Sequence, residues 1–313
     1  MTGLSQEWRA MLAGMFCCTI FGFSFMFSRI AFAVAPLSVV LANRFFVAWL
    51  ALSVMACSGR FSFRLRSKRW PRLLLLALFE PLIYFLCESW GVQLTNASFS
   101  AVMIALIPIF SLLFGTLFLH EKASLAQTLF ALLSISGVIL ISLIGSSNGT
   151  VSLLGFLALL GAIAAAVGFN VISRWISDEF SPFERTYAAF TMGFIFFTFL
   201  ALAENQGDIQ ALLQPWHTPN FVVPVLYLGL LSSATAYMLY NYALTYLTIT
   251  RASIFANWTT VVSVCAGVVF LQEPFGPAQA AGCLMILVGL YGVNRSPRKA
   301  VHQKQEAALS AEK

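Results

Sequence analysis

Ten apolar segments follow one another along this chain, each about as long as a helix needs to cross a bilayer core, roughly 20 residues. Backbone N–H and C=O groups in lipid must be satisfied within the segment, so each run is predicted to be an α-helix. The sequence therefore predicts an all-α polytopic membrane protein with ten transmembrane helices. We number the segments 1 to 10 in chain order: residues 10–30, 36–57, 72–93, 97–119, 124–144, 152–175, 182–203, 221–244, 251–271 and 277–294.

The composition points to the same class of protein. Hydrophobic residues make up 59% of the 313 and charged residues only 10%, whereas soluble domains average roughly 25% charged residues. A water-soluble fold of this composition would have too few polar side chains for its surface. The six cysteines lie in apolar runs without Cys/His metal spacing, so we interpret them as small buried hydrophobic residues. We expect no metal and no organic cofactor.

The lysines and arginines predict how the chain threads the membrane. With the N-terminus inside, all but two of the 18, Arg29 and Arg44, fall on the same side of the membrane. The positive-inside rule then places both termini in the cytoplasm. We therefore interpret the net charge of +6 as a consequence of membrane topology. No nucleic-acid partner is expected, because no folded binding module surrounds the cationic loop at 60–72.

The second half of the chain repeats the first. Moving residues 111–137 onto 263–289 without a gap gives nine identities, among them Glu121 with Glu273. Each half has an odd number of segments, so the second copy must enter the membrane inverted. Inverted repeats recur in transporters, with the substrate bound between them near the midplane. The predicted organisation is a five-helix repeat over 1–148, a second, inverted one over 149–295 and a cytoplasmic polar tail over 296–313.

Several stretches are similar to the EamA-type family of the drug/metabolite transporter superfamily. They include FGFSFMFSRIA and IPIFSLLFGTLFLHEK in the first half and FLQEPFGPAQAAGCLMILVGLYGV in the second. The likeness covers nearly the whole chain, although Thr260 stands where the second copy would place the proline that matches Pro108. The resemblance implies a ten-helix carrier of small metabolites in the inner membrane, often an exporter. It implies no particular substrate.

Arg44 in segment 2 and Glu88 in segment 3 lie at comparable predicted depth. A charge near the bilayer centre costs about 2.5–3.5 kcal/mol on insertion scales, so a pair between them would offset much of that cost. Two interpretations stay open. The pair fixes helix packing as a buried ion pair, or it forms an anchor or gate for a zwitterionic substrate.

Segment 3 also carries Glu80, Tyr84 and Glu88 at spacing i, i+4, i+8, which places them on one helical stripe. A stripe with two carboxylates is expected to face protein or a water-filled path. Pro81 is predicted to break the helix beside Glu80. We hypothesise that Glu80 or Glu88 binds a substrate amine or carries a coupling proton. The alternative is that Glu80 reaches the cytoplasmic interface.

Amide and aromatic side chains in the second half complete the predicted site. Rings with a few amide groups suit a small, partly apolar ligand, although helix packing explains the tyrosines equally well. These residues are Asn170 on segment 6, Tyr237, Tyr240 and Asn241 on segment 8, and Asn257 and Trp258 on segment 9.

The function favoured by these features is secondary transport of small organic metabolites by alternating access, with export of amino acids or related compounds expected. The alternatives are a membrane-embedded enzyme, a scaffold without transport, and an uptake carrier. No Ser/His/Asp, HExxH or phosphate-loop pattern favours the enzyme. The expected partners are the substrate and the lipid bilayer, with the chain a monomer or weak homodimer.

Overall fold

A computed structural model describes residues 5–59, 69–94, 103–104, 106–119, 124–144, 152–270 and 276–295. Every regular element within these ranges is a helix, which confirms the all-α class. Eight helices in the described part are long and apolar enough to cross a membrane. They are Gln6–Phe32 (segment 1), Leu37–Cys57 (segment 2), Pro71–Gly91 (segment 3), Leu153–Trp175 (segment 6), Pro182–Glu204 (segment 7), Pro219–Tyr246 (segment 8), Ile249–Phe270 (segment 9) and Pro277–Arg295 (segment 10).

Segments 4 and 5 are helices as well, Ile107–Leu119 and Leu125–Ile144. Residues on both sides of these two helices lie outside the described ranges. Within the described residues eight helices are identified as candidate spans, and the count of ten stays a prediction. The cationic loop at 60–68 and the repeated Glu121 and Glu273 lie outside the described residues.

Segments 3 and 8, which correspond in the two halves, are both interrupted. In segment 3 a π-helical stretch, Leu78–Ile83, separates Pro71–Ala77 from Tyr84–Leu94. Glu80 within it has extended backbone angles (φ −147°, ψ 119°) and precedes Pro81, so the predicted break is confirmed. Segment 8 divides in the same way into Pro219–Leu226, the π-helical Tyr227–Thr235 and Ala236–Tyr246.

Shorter elements join or divide the long helices. Gln210–Leu213 and the 3₁₀ turn Gln214–His217 lie between segments 7 and 8, and segment 9 consists of Ile249–Ser253 and Phe255–Phe270. Segment 7 begins with a capping box, in which the Ser181 hydroxyl accepts from the Glu184 backbone N–H at 3.2 Å and the Glu184 carboxylate accepts from the Ser181 N–H at 2.8 Å. Such reciprocal bonds satisfy two of the backbone donors that a helix start leaves open.

The packing of the segments follows the duplication. Segment 2 packs on segment 7 and segment 5 on segment 10, so each corresponding pair meets across the molecule. Segment 3 packs on segment 6, as segment 8 packs on segment 1. The repeated glycines bring segments 5 and 10 close together. A Cβ on Gly137 would lie 2.5 Å from the Gly282 carbonyl oxygen, and one on Gly289 would lie 2.6 Å from that of Phe130.

Candidate functional site

A cavity of about 200 Å³ lies between the two halves. On segments 1 and 3 its lining side chains run from the middle of the helix toward the C-terminal end. The cavity thus extends from mid-bundle toward the side opposite the start of segment 1. The lining residues are Cys18, Phe21, Ser24, Ser28, Arg44, Glu80, Tyr84, Phe85, Glu88, Ile104, Ile107, Ala166, Asn170, Ser232, Tyr237, Tyr240, Ala256 and Thr259.

Glu80 lies at the helix break and is buried, with 8% of its surface exposed. The Tyr237 hydroxyl donates a hydrogen bond to Glu80 Oε1, which links segment 3 to segment 8. The extended backbone at Glu80 places this carboxylate on the cavity wall. The structure therefore does not show the alternative in which Glu80 reaches the interface.

Tyr84 and Glu88 continue the same wall one and two helical turns further on. The Tyr84 hydroxyl donates to Glu88 Oε1 at 3.1 Å. All three members of the predicted stripe line the cavity. Two carboxylates are thus held by tyrosine hydroxyls, one from the neighbouring half and one from their own helix.

Arg44 also lines the cavity, but its partners differ from the prediction. Within the described residues no ion pair joins Arg44 to Glu88, since Arg44 Nε donates to Ser233 Oγ at 2.8 Å and Nη2 to Ser232 Oγ at 3.1 Å. The guanidinium carbon lies 4.9 Å from the centroid of the Phe85 ring, within the range of a cation–π contact. The expected buried Arg44–Glu88 pair is wrong, because packing directs Nε and Nη2 of Arg44 to serines of the other half.

Asn170 and Tyr240 form the inner end of the cavity. The Tyr240 hydroxyl donates to Asn170 Oδ1 at 2.9 Å, and Asn170 Nδ2 donates to the Ser111 hydroxyl at 3.2 Å. These bonds connect segments 4, 6 and 8. The ring of Phe169 stacks on that of Tyr240 with centroids 6.4 Å apart. Seven of the ten predicted residues are therefore brought together around one cavity.

Three predicted residues lie away from the cavity lining. Asn241 is buried among segments 6, 7 and 8, where its side chain bonds Ser173 and Thr186. Asn257 donates to Ser134 Oγ on segment 5 at 2.9 Å. Trp258 Nε1 donates to Thr19 Oγ1 on segment 1 at 2.9 Å. Asn241 joins three helices, and Asn257 and Trp258 each join two, which is a packing role.

Sequence reasoning missed the contribution of segment 1. Cys18, Phe21, Ser24 and Ser28 all line the cavity. Their spacing of three, three and four places them on one helical face, which is a signal that the sequence carried. Ser232, which bonds Arg44, has no comparable local signal. Within the described residues no three His, Cys, Asp or Glu side chains gather as metal ligands.

Among the described residues, two ion pairs join the halves on the side where segment 1 begins, here called the N-terminal side. Glu7 of segment 1 pairs with Arg251 at the start of segment 9. Arg72, at the start of segment 3, pairs with Glu179 between segments 6 and 7 at 2.7 Å. Glu179 also accepts from the backbone N–H of Arg69 at 2.6 Å. The bundle is thus tied together on the side away from the cavity.

The chain has apolar helices of spanning length, and a cavity lined by aromatic, apolar and a few charged side chains lies between its two repeated halves. This is the architecture of a multi-pass membrane carrier of small molecules. The chain belongs to the EamA-like transporter family, within the drug/metabolite transporter superfamily, because the family model matches it twice, over residues 8–143 and 153–295.

The alignments with two relatives cover most of each chain. The chain is 31% identical over 292 residues to the uncharacterized transporter YcxC of Bacillus subtilis (strain 168), covering 92% of this chain and 94% of that one. It is 24% identical over 265 residues to a probable terminal-alkyne amino-acid exporter of Streptantibioticus cattleyicolor, covering 84% and 85%. A crystal structure matches with a TM-score of 0.77 at 16% identity, over 91% of this chain and 98% of that chain, which shows the fold alone.

Proposed function

We propose that this transporter exports amino acids or related small metabolites across the inner membrane by alternating access, with the cavity as its transport site. The observation that carries the proposal is the composition of the cavity wall. Arg44, Glu80 and Glu88 place both signs of charge in one space, next to aromatic rings from both halves. Charges at membrane depth mark substrate and ion pathways by default.

The size of the cavity supports a small substrate. Sites for drug-sized ligands usually enclose about 300–1,000 Å³, and this cavity encloses about 200 Å³. Tyrosine and phenylalanine rings provide apolar contact, while Asn170 and the serines provide hydrogen bonds. An amino acid with an apolar side chain matches these groups.

The arrangement of the halves supports alternating access. The cavity extends to one side, and the inter-half ion pairs Glu7–Arg251 and Arg72–Glu179 lie on the other. Rocking of one five-segment half against the other opens the N-terminal side by breaking these pairs. With both termini in the cytoplasm, the cavity faces outward in the conformation described here.

Glu80 is proposed to bind either the ammonium group of the substrate or a proton, and export with proton coupling follows from that role. A substrate ammonium and a proton compete for the same buried carboxylate, so an inward proton gradient discharges substrate on the outer side. The similarity to a probable amino-acid exporter supports this direction. Neither an organic cofactor nor a metal enters the proposal.

Reconstitution into liposomes tests the proposal. Vesicles containing the purified protein are loaded with each of the proteinogenic amino acids in turn, and efflux is followed with the pH gradient imposed in either direction. We expect efflux of a subset with apolar side chains, faster when protons move the opposite way. The control is the double variant Glu80→Gln/Glu88→Gln, which should be inactive.

Two results would contradict the proposal. If the pH gradient drove amino acids only in the direction that corresponds to entry into the cytoplasm, the protein would be an uptake carrier. No movement of any amino acid in either direction, by protein shown to be folded, would remove amino acids as the substrate class.

A further inference from the structure

Arg44 is a charged residue in an apolar helix whose charge no described carboxylate neutralises by direct contact. Its side chain lies in segment 2 and only 7% of the residue is exposed. Both cavity glutamates are held by tyrosines, and within the described residues no ion pair reaches the guanidinium. A buried cation that no described carboxylate contacts directly calls for a reason, because removing it from water is costly.

The neighbours of Arg44 orient its side chain and leave its charge intact. Ser232 and Ser233 are consecutive residues of the π-helical stretch in segment 8, and their neutral hydroxyls accept from Nη2 and Nε. Both serines have no exposed surface. The ring of Phe85 covers the guanidinium at 4.9 Å. These contacts fix the plane and one edge of the guanidinium.

The remaining edge of the guanidinium is suited to a carboxylate. A guanidinium has five N–H donors in a rigid fork, and a carboxylate binds two of them side by side. The serines use Nε and one N–H of Nη2, and among the described residues Nη1 donates to none. The Nη1/Nη2 end is the edge that bidentate carboxylates contact. Arg44 lines the cavity, where a ligand would meet it.

We infer that Arg44 recognises the carboxylate of the substrate, that Ser232 and Ser233 are its positioning residues, and that the transported class is a small zwitterion. The inference rests on the proposed function, because it takes the cavity as the transport site. The ammonium group of the same molecule binds Glu80 or Glu88. A simple amine would leave Arg44 without an anion, and a simple carboxylate would leave both glutamates without a cation. Only a zwitterion provides both an anion for Arg44 and a cation for a glutamate.

A set of matched compounds tests the inference in liposomes. For each side chain that gives flux, transport is compared among the amino acid, its amide, the amine without the carboxylate, and the acid without the amine. Leucine, leucinamide, isoamylamine and 4-methylpentanoate form one set, and phenylalanine, phenylalaninamide, phenethylamine and 3-phenylpropionate form a second. We expect the amino acid to be preferred over its amide by roughly 10- to 100-fold, the range for a hydrogen bond to a charged group.

Variants separate recognition from a structural role. Arg44→Gln and the double variant Ser232→Ala/Ser233→Ala should raise KM for the amino acid and reduce its preference over the amide, with Arg44→Lys intermediate. The control is Ser136→Ala, because Ser136 is exposed on segment 5 and its hydroxyl bonds only within its own helix. A merely structural role would lower folded yield and maximal flux for every compound and leave the preference unchanged.

Each outcome decides between the inference and the function. Equal transport of amino acid, amide and amine would overturn the role of Arg44 and leave transport standing. If only compounds without a carboxylate were transported, the role of Arg44 would likewise be overturned and transport would stand. An unchanged preference in folded Arg44→Gln would assign carboxylate recognition elsewhere. If no compound moved through folded wild-type protein, the proposed function and this inference would both fall.

Discussion

Glu80 combines three features that rarely occur together in a membrane helix. It is a carboxylate, its backbone is extended within the helix, and its side chain receives a hydrogen bond from Tyr237 of the other half. Glu88, further along the same wall, is only half-buried and is bonded by a tyrosine of its own helix. Of the two, Glu80 is therefore the carboxylate bonded across the halves, and we propose that it also binds the substrate.

The first prediction concerns these two glutamates. Glu80→Gln should lower amino-acid flux by roughly 10- to 100-fold, the loss expected for one charged hydrogen bond, and should flatten the pH dependence of flux. Glu88→Gln should have a smaller effect, because an interaction at a more exposed site is weaker. Initial rates at several external pH values measure both effects.

The matched control for this prediction is Trp258→Phe, which keeps a ring but loses the N–H that bonds Thr19 outside the cavity lining. Its KM and pH profile should equal those of the wild type. An unaltered rate and pH profile in Glu80→Gln would remove Glu80 from the mechanism, whatever Glu88 does.

At the scale of helices, close approach between segments 5 and 10 depends on glycine. A Cβ on Gly289 would meet the Ser134 Cβ at 2.6 Å as well as the carbonyl of Phe130. Small residues let membrane helices pack with their backbones in contact, and this packing replaces the hydrophobic effect that is missing in lipid.

The second prediction follows from that contact. Gly289→Ala should destabilise the protein by about 1–3 kcal/mol, the usual cost of overpacking, and lower the melting temperature in detergent. Ala281→Leu serves as the control, since Ala281 is exposed on the same helix. An equal melting temperature for Gly289→Ala would show that the two helices separate without cost.

The ends of segments 6, 7 and 8 are joined through one fully buried arginine. Arg185 donates to the Ser173 carbonyl at 2.7 Å, to the Ser173 hydroxyl at 2.6 Å and to the Asn241 carbonyl at 2.8 Å. It also donates to the hydroxyl of Thr245. Carbonyl groups near helix C-termini have no partner within the helix, and a cation supplies both the donors and the complementary charge.

The third prediction is that Arg185→Met destabilises the fold by about 3 kcal/mol or more, because several buried acceptors lose their donor at once. The stability of Arg185→Lys should lie between that of Arg185→Met and that of the wild type, since an ammonium has fewer donors in a less rigid arrangement. Thermal unfolding in detergent is the measurement. Arg9→Met, at an exposed position, is the control, and equal losses from the two Met variants would contradict the assignment.

The whole molecule is organised by its duplication and closed on one side by charge. The ion pairs Glu7–Arg251 and Arg72–Glu179 join one half to the other on the N-terminal side. Cys18, at the midpoint of segment 1, lines the cavity and provides a native position for chemical labelling. These features together allow the opening of the N-terminal side to be measured.

The fourth prediction is that Glu7→Arg increases labelling of Cys18 from the N-terminal side by roughly two- to fivefold, the size expected when an ion pair becomes a repulsion. The protein retains Cys18 as its only cysteine and is labelled with a membrane-impermeant maleimide in vesicles that expose that side. Adding Arg251→Glu restores opposite charges and should return labelling to the starting level.

Glu204→Arg is the control for this prediction, because it makes the same charge change at the exposed end of segment 7, on the opposite side. It should leave labelling from the N-terminal side unchanged. Failure of the double variant to reverse the effect of Glu7→Arg would exclude the ion pair as the element that holds this side closed.

Features that depend on residues close together in the chain could be predicted from the sequence. Helical segments follow from unbroken apolar runs, and the duplication follows from matched residues such as Gly137 and Gly289. The break at Pro81 and the common face of Glu80, Tyr84 and Glu88 follow from the chemistry of proline and the period of one helix.

Contacts between segments could be decided only by the tertiary structure. Helical periodicity fixes which residues of one segment share a face, but it does not fix the rotation of that segment against its neighbours. Similar depth therefore predicts that Arg44 pairs with Glu88, whereas packing brings it to Ser232 and Ser233. For the same reason the sequence predicts Trp258 at the substrate site, whereas in the structure it bonds Thr19. The sequence by itself determined the segments and their polar faces, and the packing of the two halves decided which of those faces enclose the cavity.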